Sequence, residues 1–406
     1  MDLGSLFLCR CVSQEWKQNV NLVLSHQCKW LELSRSEGRY THFSKGTRYA
    51  ERERQKEVLQ RMTTVCSMYS KTEKVSINSY KQSMLINVSK VLKICRENMK
   101  QVKHLTINDV GFHKSYFTLI AFTFPHLTSI SLCRAQVDND VIRKTFASLQ
   151  CLRQVYIESL PLSGPCFSEV ADRIEKIEWT LANIDALIGF PLAIKLRSLR
   201  LNFDFVMGNK NDLFQIITEN MPNLEKLAIG GEGLQNYHSL KLRNLKCLVY
   251  ELWDVYDTPD VYSLKDMPTV EKLKVTVNTL YSFPFAILLP KLPFVSKIFI
   301  HSASLYPYTY PRFSVLSVHL ILALNAVRTL KFFRLHERVN AVQQYVRNIG
   351  RVAFNMLHYL FTSIDFVDKI QIHITSENIY GLLAITDFKQ QRIEQTFCLQ
   401  INDLKF

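Results

Sequence analysis

The sequence predicts an α/β solenoid, in which short parallel strands stack side by side and are joined by helical returns. Three observations predict it. The first is a recurring unit, clearest in Met221-Pro222-Asn223-Leu224-Glu225-Lys226-Leu227-Ala228-Ile229. Its apolar anchors stand at i, i+3 and i+5, so the last two share one face of an extended strand while the first comes in from the preceding turn. The second is repetition of the spacing at Val102/Leu105/Ile107, Leu127/Ile130/Leu132, Leu152/Val155/Ile157, Ile174/Ile177/Trp179, Leu196/Leu199/Leu201, Leu245/Leu248/Tyr250, Val270/Leu273/Val275 and Val295/Ile298/Ile300. Weaker copies are Val327/Leu330/Phe332 and Val367/Ile370/Ile372. The third is the step: counted on the third anchor up to Ile300, units follow at 25, 25, 22, 22, 28, 21, 25 and 25 residues. An ordinary α/β domain does not space its strands this evenly.

Steps of this length fall in the leucine-rich-repeat range of roughly 20–29 residues. The expected fold is therefore a leucine-rich-repeat solenoid, with parallel strands on a concave face, helical returns on the convex face and a short helical N-terminal segment. Three aliphatic side chains per unit contribute roughly 1.5–3 kcal/mol each on burial. A single unit cannot recover its ordering entropy from that alone, so the units must stack.

Taken in order, residues 1–33 differ in character from the repeats. Leu6, Phe7, Cys9, Val12 and Trp16 fall near helical spacing, as expected of a segment that covers the open end of the array. Residues 34–86 read as a linker, polar from Ser34 to Gly46, then rich in helix formers and interleaved charges from Tyr49 to Met62. Lys74-Val75-Ser76-Ile77 reads as an early, degenerate strand. Residues 87–406 are the repeats. Val91, Leu92, Cys95 and Met99 share one face of the first return helix. Asp138-Asn139-Asp140 caps a helix carrying Val141, Ile142, Phe146 and Leu149, and Asn211-Asp212 caps one carrying Leu213, Ile216 and Ile217.

Pro125, Pro222, Pro268 and Pro293 all stand two residues before a first anchor. There the fixed φ and missing amide suit a turn and not a ladder. The Asn or Cys that usually follows the strand is mostly absent, so the amides an asparagine ladder would satisfy need other partners. Two late steps are long: 32 residues from Ile300 to Phe332, containing the Tyr/Pro-rich stretch Leu305 to Pro311, and 40 from Phe332 to Ile372. Insertions in a solenoid map to loops, often on the binding face. Ile393 to Phe406 is expected to close the array.

Composition narrows the function classes. With 47% hydrophobic residues, 12 Gly and 12 Pro, the chain reads as folded. Fifty basic against 36 acidic residues make a formal charge of +14, which admits an acidic protein, nucleic acid or anionic lipid as partner. Basic residues are scattered and form no run of five, so an acidic protein is favoured over nucleic acid. The ten cysteines show no C-x-x-C spacing, and the eleven histidines are dispersed, so neither a metal nor another cofactor is expected. No apolar stretch reaches the ~20 residues that span a bilayer. The N-terminus has no basic n-region, and an intracellular protein, cytoplasmic or nuclear, with no membrane partner is expected. Gly230-Gly231-Glu232-Gly233 lacks the lysine and spacing of a phosphate loop, and no G-x-S-x-G or H-E-x-x-H is present. The reading is a binding protein and not an enzyme.

Leu8-Cys9-Arg10-Cys11-Val12-Ser13-Gln14-Glu15-Trp16, followed by Trp30-Leu31-Glu32-Leu33, resembles the second half of an F-box. That family's pattern there is an apolar helix ending in Val-[Cys/Ser]-x-x-Trp, then a Leu-containing strand. The Leu-Pro opening of the family's pattern is not in this sequence. With repeats downstream, the resemblance implies a substrate-recognition subunit of a cullin-based (SCF-type) ubiquitin ligase. Leu6, Cys9, Val12 and Trp16 would face a Skp-type adaptor, and the repeats would select the target protein.

Outward strand positions, at i+2, i+4 and i+6 from each first anchor, carry the specificity. In the N-terminal units they are His104, Thr106, Asn108, Ser129, Ser131, Gln154, Tyr156, Glu158, Lys176 and Glu178, a neutral to acidic mixture. Further on they turn basic: Arg200, Lys226, Lys272, Lys274, Lys297, Phe299, His301, Lys331, Lys369 and His373, with Glu251 the exception. The expectation is a face for an acidic or phosphorylated protein segment. The alternative is a scaffold outside any ligase that binds an acidic protein, or RNA through the same basic face.

Overall fold

The anchor pattern becomes a ladder of strands. In the computed structural model the described residues are 30–34, 59–60, 63–67, 70–79, 88–109, 113–181, 184–203, 213–230, 240–252, 264–277, 283–303, 320, 323–324, 326–338, 367, 369–375, 379–387 and 398–401. In 30–34, 369–375, 379–387, 398–401 and at several strand ends only the backbone is described. Leu6, Cys9, Val12, Trp16, most of the charged helix of 49–62 and the Tyr/Pro stretch lie outside the described residues. The chain divides into two compact units, Met1–Leu181 with Ala186–Lys195, and Ala182–Asp185 with Leu196–Phe406.

In the first unit β1 (Trp30–Ser34), β2 (Lys74–Ser79), β3 (His104–Asp109), β4 (Ser129–Cys133), β5 (Gln154–Glu158) and β6 (Lys176–Leu181) pair in chain order, all parallel. Leu31, Val75, Leu105, Ile130, Val155 and Ile177 fall in one column. Leu33, Ile77, Ile107, Leu132, Ile157 and Trp179 fall in the next core column. From β2 onward both columns are buried. The ladder therefore starts upstream of residue 87, and Lys74–Ser79 is a regular member of it.

The returns of this unit pack on that core. Helix α1 (Val88–Asn98) buries Val91, Leu92 and Cys95, and Met99 follows them in. After α2 (Lys114–Thr123), α3 (Asn139–Ser148) is capped by Asp138, whose carboxylate accepts from the Val141 amide at 2.9 Å. It buries Ile142, Thr145 and Phe146, with Val141 left half-buried against expectation. The side chain of Asn139 joins this return to the next, donating to Ser163 Oγ and accepting from the Ser163 amide, both at 2.8 Å. The next return is a 3-10 turn, Gly164–Phe167, and not a full helix. A Cβ on Gly164 would lie 2.5 Å from the Phe190 amide nitrogen, so only glycine fits there. Phe167 then stacks at 5.3 Å from Trp179 and 5.1 Å from Phe190.

In the second unit β7 (Ser198–Phe203), β8 (Lys226–Gly230), β9 (Cys247–Leu252), β10 (Lys272–Val277), β11 (Lys297–Ala303), β12 (Phe332–Arg338) and β13 (Lys369–Thr375) continue parallel pairing. Then β14 (Ile379–Asp387) and β15 (Cys398–Ile401) pair antiparallel and end the parallel run by hairpins. Helix α4 (Leu213–Asn220) buries Leu213, Phe214 and Ile217, with Phe214 where Ile216 was expected. The register columns are Leu199, Leu227, Leu248, Leu273, Ile298, Phe333, Ile370 and Leu201, Ile229, Tyr250, Val275, Ile300, Leu335, Ile372, buried from β7 to β12.

One repeat is corrected. Its anchors are Leu330/Phe333/Leu335, all at most 1% exposed, and not Val327/Leu330/Phe332. Both triplets satisfy the spacing, and pairing of Lys297 with Phe332 decides between them. The long steps become 35 and 37 residues, from Ile300 to Leu335 and on to Ile372.

The lead-in turns of successive repeats are tied together through the backbone. In each turn that leads into a strand, one carbonyl accepts two consecutive amides from the next repeat. Lys103 takes Thr128 and Ser129, Thr128 takes Arg153 and Gln154, and Arg153 takes Glu175 and Lys176. In the second unit the carbonyls of Arg197, Glu225, Lys246, Glu271 and Ser296 do the same, the last for Lys331 and Phe332, at 2.8–3.1 Å throughout. Leu132→Ala is expected to destabilise the protein by about 2–5 kcal/mol, against under ~0.5 kcal/mol for the neighbouring outward Ser131→Ala. Urea unfolding of the two variants measures both.

Candidate functional site

Alternation along each strand sends the residues between anchors to the face of the sheet away from the core. On the first unit that face is polar and internally paired. Lys176 Nζ lies 2.7 Å from Glu178 Oε1 and donates to the Tyr156 hydroxyl at 3.0 Å, and that hydroxyl donates to Gln154 Oε1 at 3.1 Å. Burial pulls the Lys176 ammonium down, but its bonds to Glu178 and Tyr156 and the Glu178 charge outweigh this and hold it above its ordinary value. His104 is held below its usual range by burial and by Lys74.

The second unit's face is built differently. Arg200 on β7 reaches across β8 to an ion pair with Glu251 on β9. Small residues on β8 clear the path: Ala228 pairs with Arg200 in register, and a Cβ on Gly230 would sit within 3 Å of Asn202 Oδ1. Arg200 was expected as a binding cation, yet its charge is engaged within the face.

Beyond it the ladder gathers two lysines and an arginine around aromatic rings. The Phe299 and Phe332 rings lie 5.1 Å apart at 35°. Lys272 Nζ is 4.8 Å and Lys274 Nζ 5.7 Å from the Phe299 centroid. The Arg334 guanidinium is 5.9 Å from Phe299 and 5.8 Å from Phe332. All five residues are half-buried. Cys247, half-buried at the head of β9, has its thiol pushed up by burial and pulled back by Lys226, Lys272 and Lys274, which places three ammonium groups around it. Among the described residues none of Lys226, Lys272, Lys274 and Lys297 has a carboxylate partner.

The remaining expected residues scatter. Lys226 and Lys297 are exposed at the heads of β8 and β11, and His301 is half-buried further along β11. Lys331 is not on the strand face at all: it precedes β12 in the lead-in turn, a consequence of the corrected register. Lys369 opens β13, described by its backbone. Sequence reasoning missed Phe332 and Arg334 because the triplet beginning at Val327 put them out of phase. The signal was present in the alternative triplet Leu330/Phe333/Leu335.

A second electrostatic feature also went unread. The lead-in turns carry alternating charges that pair between consecutive repeats: Glu73 with Lys103 at 3.0 Å, Arg153 with Glu175 at 3.8 Å, Arg197 with Glu225 at 3.8 Å and Lys246 with Glu225 at 3.5 Å. These pairs are exposed and contribute little individually.

Ladder, returns and lead-in turns together define an α/β leucine-rich-repeat solenoid. No family model and no curated protein matches the chain. Among solved structures it is similar to the leucine-rich repeat-containing protein LegL7 from Legionella pneumophila, at 11% identity over 86% of this chain and 91% of that one, TM-score 0.39. It is also similar to a chain of the yeast Rad7 and Elc1 complex, at 12% identity over 85% of this chain and 95% of that one, TM-score 0.35. A third is the TLR13-ssRNA13 complex, at 13% identity and TM-score 0.26, where the match covers 79% of this chain and 56% of that one. Among the described residues no helix is long and apolar enough to cross a membrane. Among the residues whose side chains are described, no group of three or more His, Cys, Asp or Glu is placed to hold a metal ion.

A double-mutant cycle on Arg200→Ala and Glu251→Ala is expected to return a coupling energy of about 0.5–3 kcal/mol. Coupling near zero by thermal or urea unfolding would show that the pair does not act as one unit.

Proposed function

We propose that this chain is a non-enzymatic protein-binding scaffold that selects an acidic or phosphorylated segment of a target protein on the outer face of its second unit. The observation that carries the reading is the cluster of Lys272, Lys274 and Arg334 around Phe299. Among the described residues the two lysines have no carboxylate partner and are available to an incoming anion, and the adjoining aromatics offer apolar area beside them. Base stacking on Phe299 is the less favoured use, because its ring already has three cations within cation–π range. An acidic protein segment is therefore preferred over single-stranded RNA, which would need an open aromatic face.

The finer reading is a substrate-recognition subunit of an SCF-type ubiquitin ligase. Its support is the F-box resemblance of residues 8–33 placed ahead of the repeats. Leu6, Cys9, Val12 and Trp16 would meet a Skp-type adaptor and through it the cullin, while the repeats hold the target. Trp30-Leu31-Glu32-Leu33, the second part of the resemblance, forms most of β1 and so leads directly into the ladder.

The binding experiment titrates a serine-phosphorylated acidic peptide library, in fluorescence anisotropy, against wild type and the Lys272→Glu/Lys274→Glu variant. Loss of at least about tenfold in affinity, or ~1.4 kcal/mol, is expected, and undiminished binding by the variant refutes the site. Tighter binding of single-stranded RNA, with a steep salt dependence, would select the RNA scaffold instead. Co-purification with a Skp-type adaptor, using this chain and a version extended upstream, tests the ligase reading separately. If neither version retains the adaptor, that reading fails while the peptide site stands.

A further inference from the structure

Histidine is scarce in this chain, 11 of 406 residues, and the sequence spreads it from end to end. The ladder gathers three of them. His301 on β11 pairs in register with His336 on β12, and His336 pairs in register with His373 on β13. With so few histidines, three consecutive strands sharing one at the same position is not what scattered placement produces. Corrected phasing of β12 is what brings His336 into the row.

The row suits a metal ion by spacing and by chemistry. Adjacent parallel strands lie about 4.8 Å apart, so three residues paired in register stand close together on one face, and histidine is a residue type that zinc takes as a ligand. Residues paired in register occupy the same face of the pleat, and His301 alternates with the buried anchors Ile298 and Ile300. The same register position on the two preceding strands holds Thr276 on β10 and Glu251 on β9. No lysine or arginine stands in this row from β9 to β13 to repel a cation, unlike the row of Lys274, Phe299 and Arg334 two residues earlier.

We propose that the row of His301, His336 and His373 binds one divalent transition-metal ion of the imidazole-preferring group, zinc, nickel or copper. Zinc held by three protein ligands keeps a fourth position for water or for a donor from a bound partner. The site is independent of the ligase and peptide readings.

The test uses the full chain without an affinity tag, stripped with chelator and titrated calorimetrically with zinc chloride and, separately, nickel chloride. One equivalent per chain is expected at about pH 7.5, with affinity falling at about pH 5.5 because the ligating imidazoles must be neutral. His301→Gln and His336→Gln are each expected to weaken binding by at least about tenfold, while His126→Gln, exposed and outside the row, leaves it unchanged. Circular dichroism melting establishes that each variant is folded, and His373→Gln replaces any that is not. No stoichiometric binding by the wild type, or undiminished binding by two folded row variants, overturns the proposal.

Discussion

The molecule rests on one constraint, the absence of register slip along its parallel ladders. Within each unit every parallel strand pairs anchor with anchor, because a slip of one residue would turn Leu and Ile outward and Lys and Glu into the core. Apolar columns alone would allow a slip of two. The lead-in carbonyl that takes two successive amides from the next repeat, as Lys246 does for Glu271 and Lys272, removes that freedom by tying each strand start to the one before it.

Rows follow from columns. Once the core positions repeat in phase, the residues between them also line up, and their chemistry adds along the row instead of averaging out. On the first unit's face the rows cancel, with Lys176, Glu178, Tyr156 and Gln154 satisfying one another. On the second unit's face Arg200 and Glu251 cancel as well, through the gap left by Ala228 and Gly230. The charge that survives is that of Lys272 and Lys274 on β10, beside Phe299. The basic tendency of the C-terminal half is thus real but narrower than the run of lysines suggests.

Burial was legible wherever apolar residues kept the i, i+3, i+5 rhythm, and the face of α1 could be named from helical spacing alone. Legibility failed where two readings satisfied the same rhythm. Phe332 and Phe333 are chemically equivalent, yet one packs into the core and the other lies against Phe299 on the opposite face. It failed again on α4, where Phe214 displaced Ile216, because the inward face of a short helix is set by the strands beneath it. Among the described cysteines, Cys66, Cys95, Cys133 and Cys166 are buried, while Cys151 and Cys247 are half-buried.

The sequence by itself determined the repeat, the strand positions up to Ile300 and the drift toward positive charge, because each depends on residues near one another in the chain. Only the tertiary structure decided which charges are spent and which remain. Arg200 and Glu251 lie 51 residues apart in sequence, and whether they meet depends on the size of the side chains on the strand between them. The three histidines of β11 to β13 belong to the same class of fact. No local pattern links them, and they become a row only when β12 finds its phase against β11.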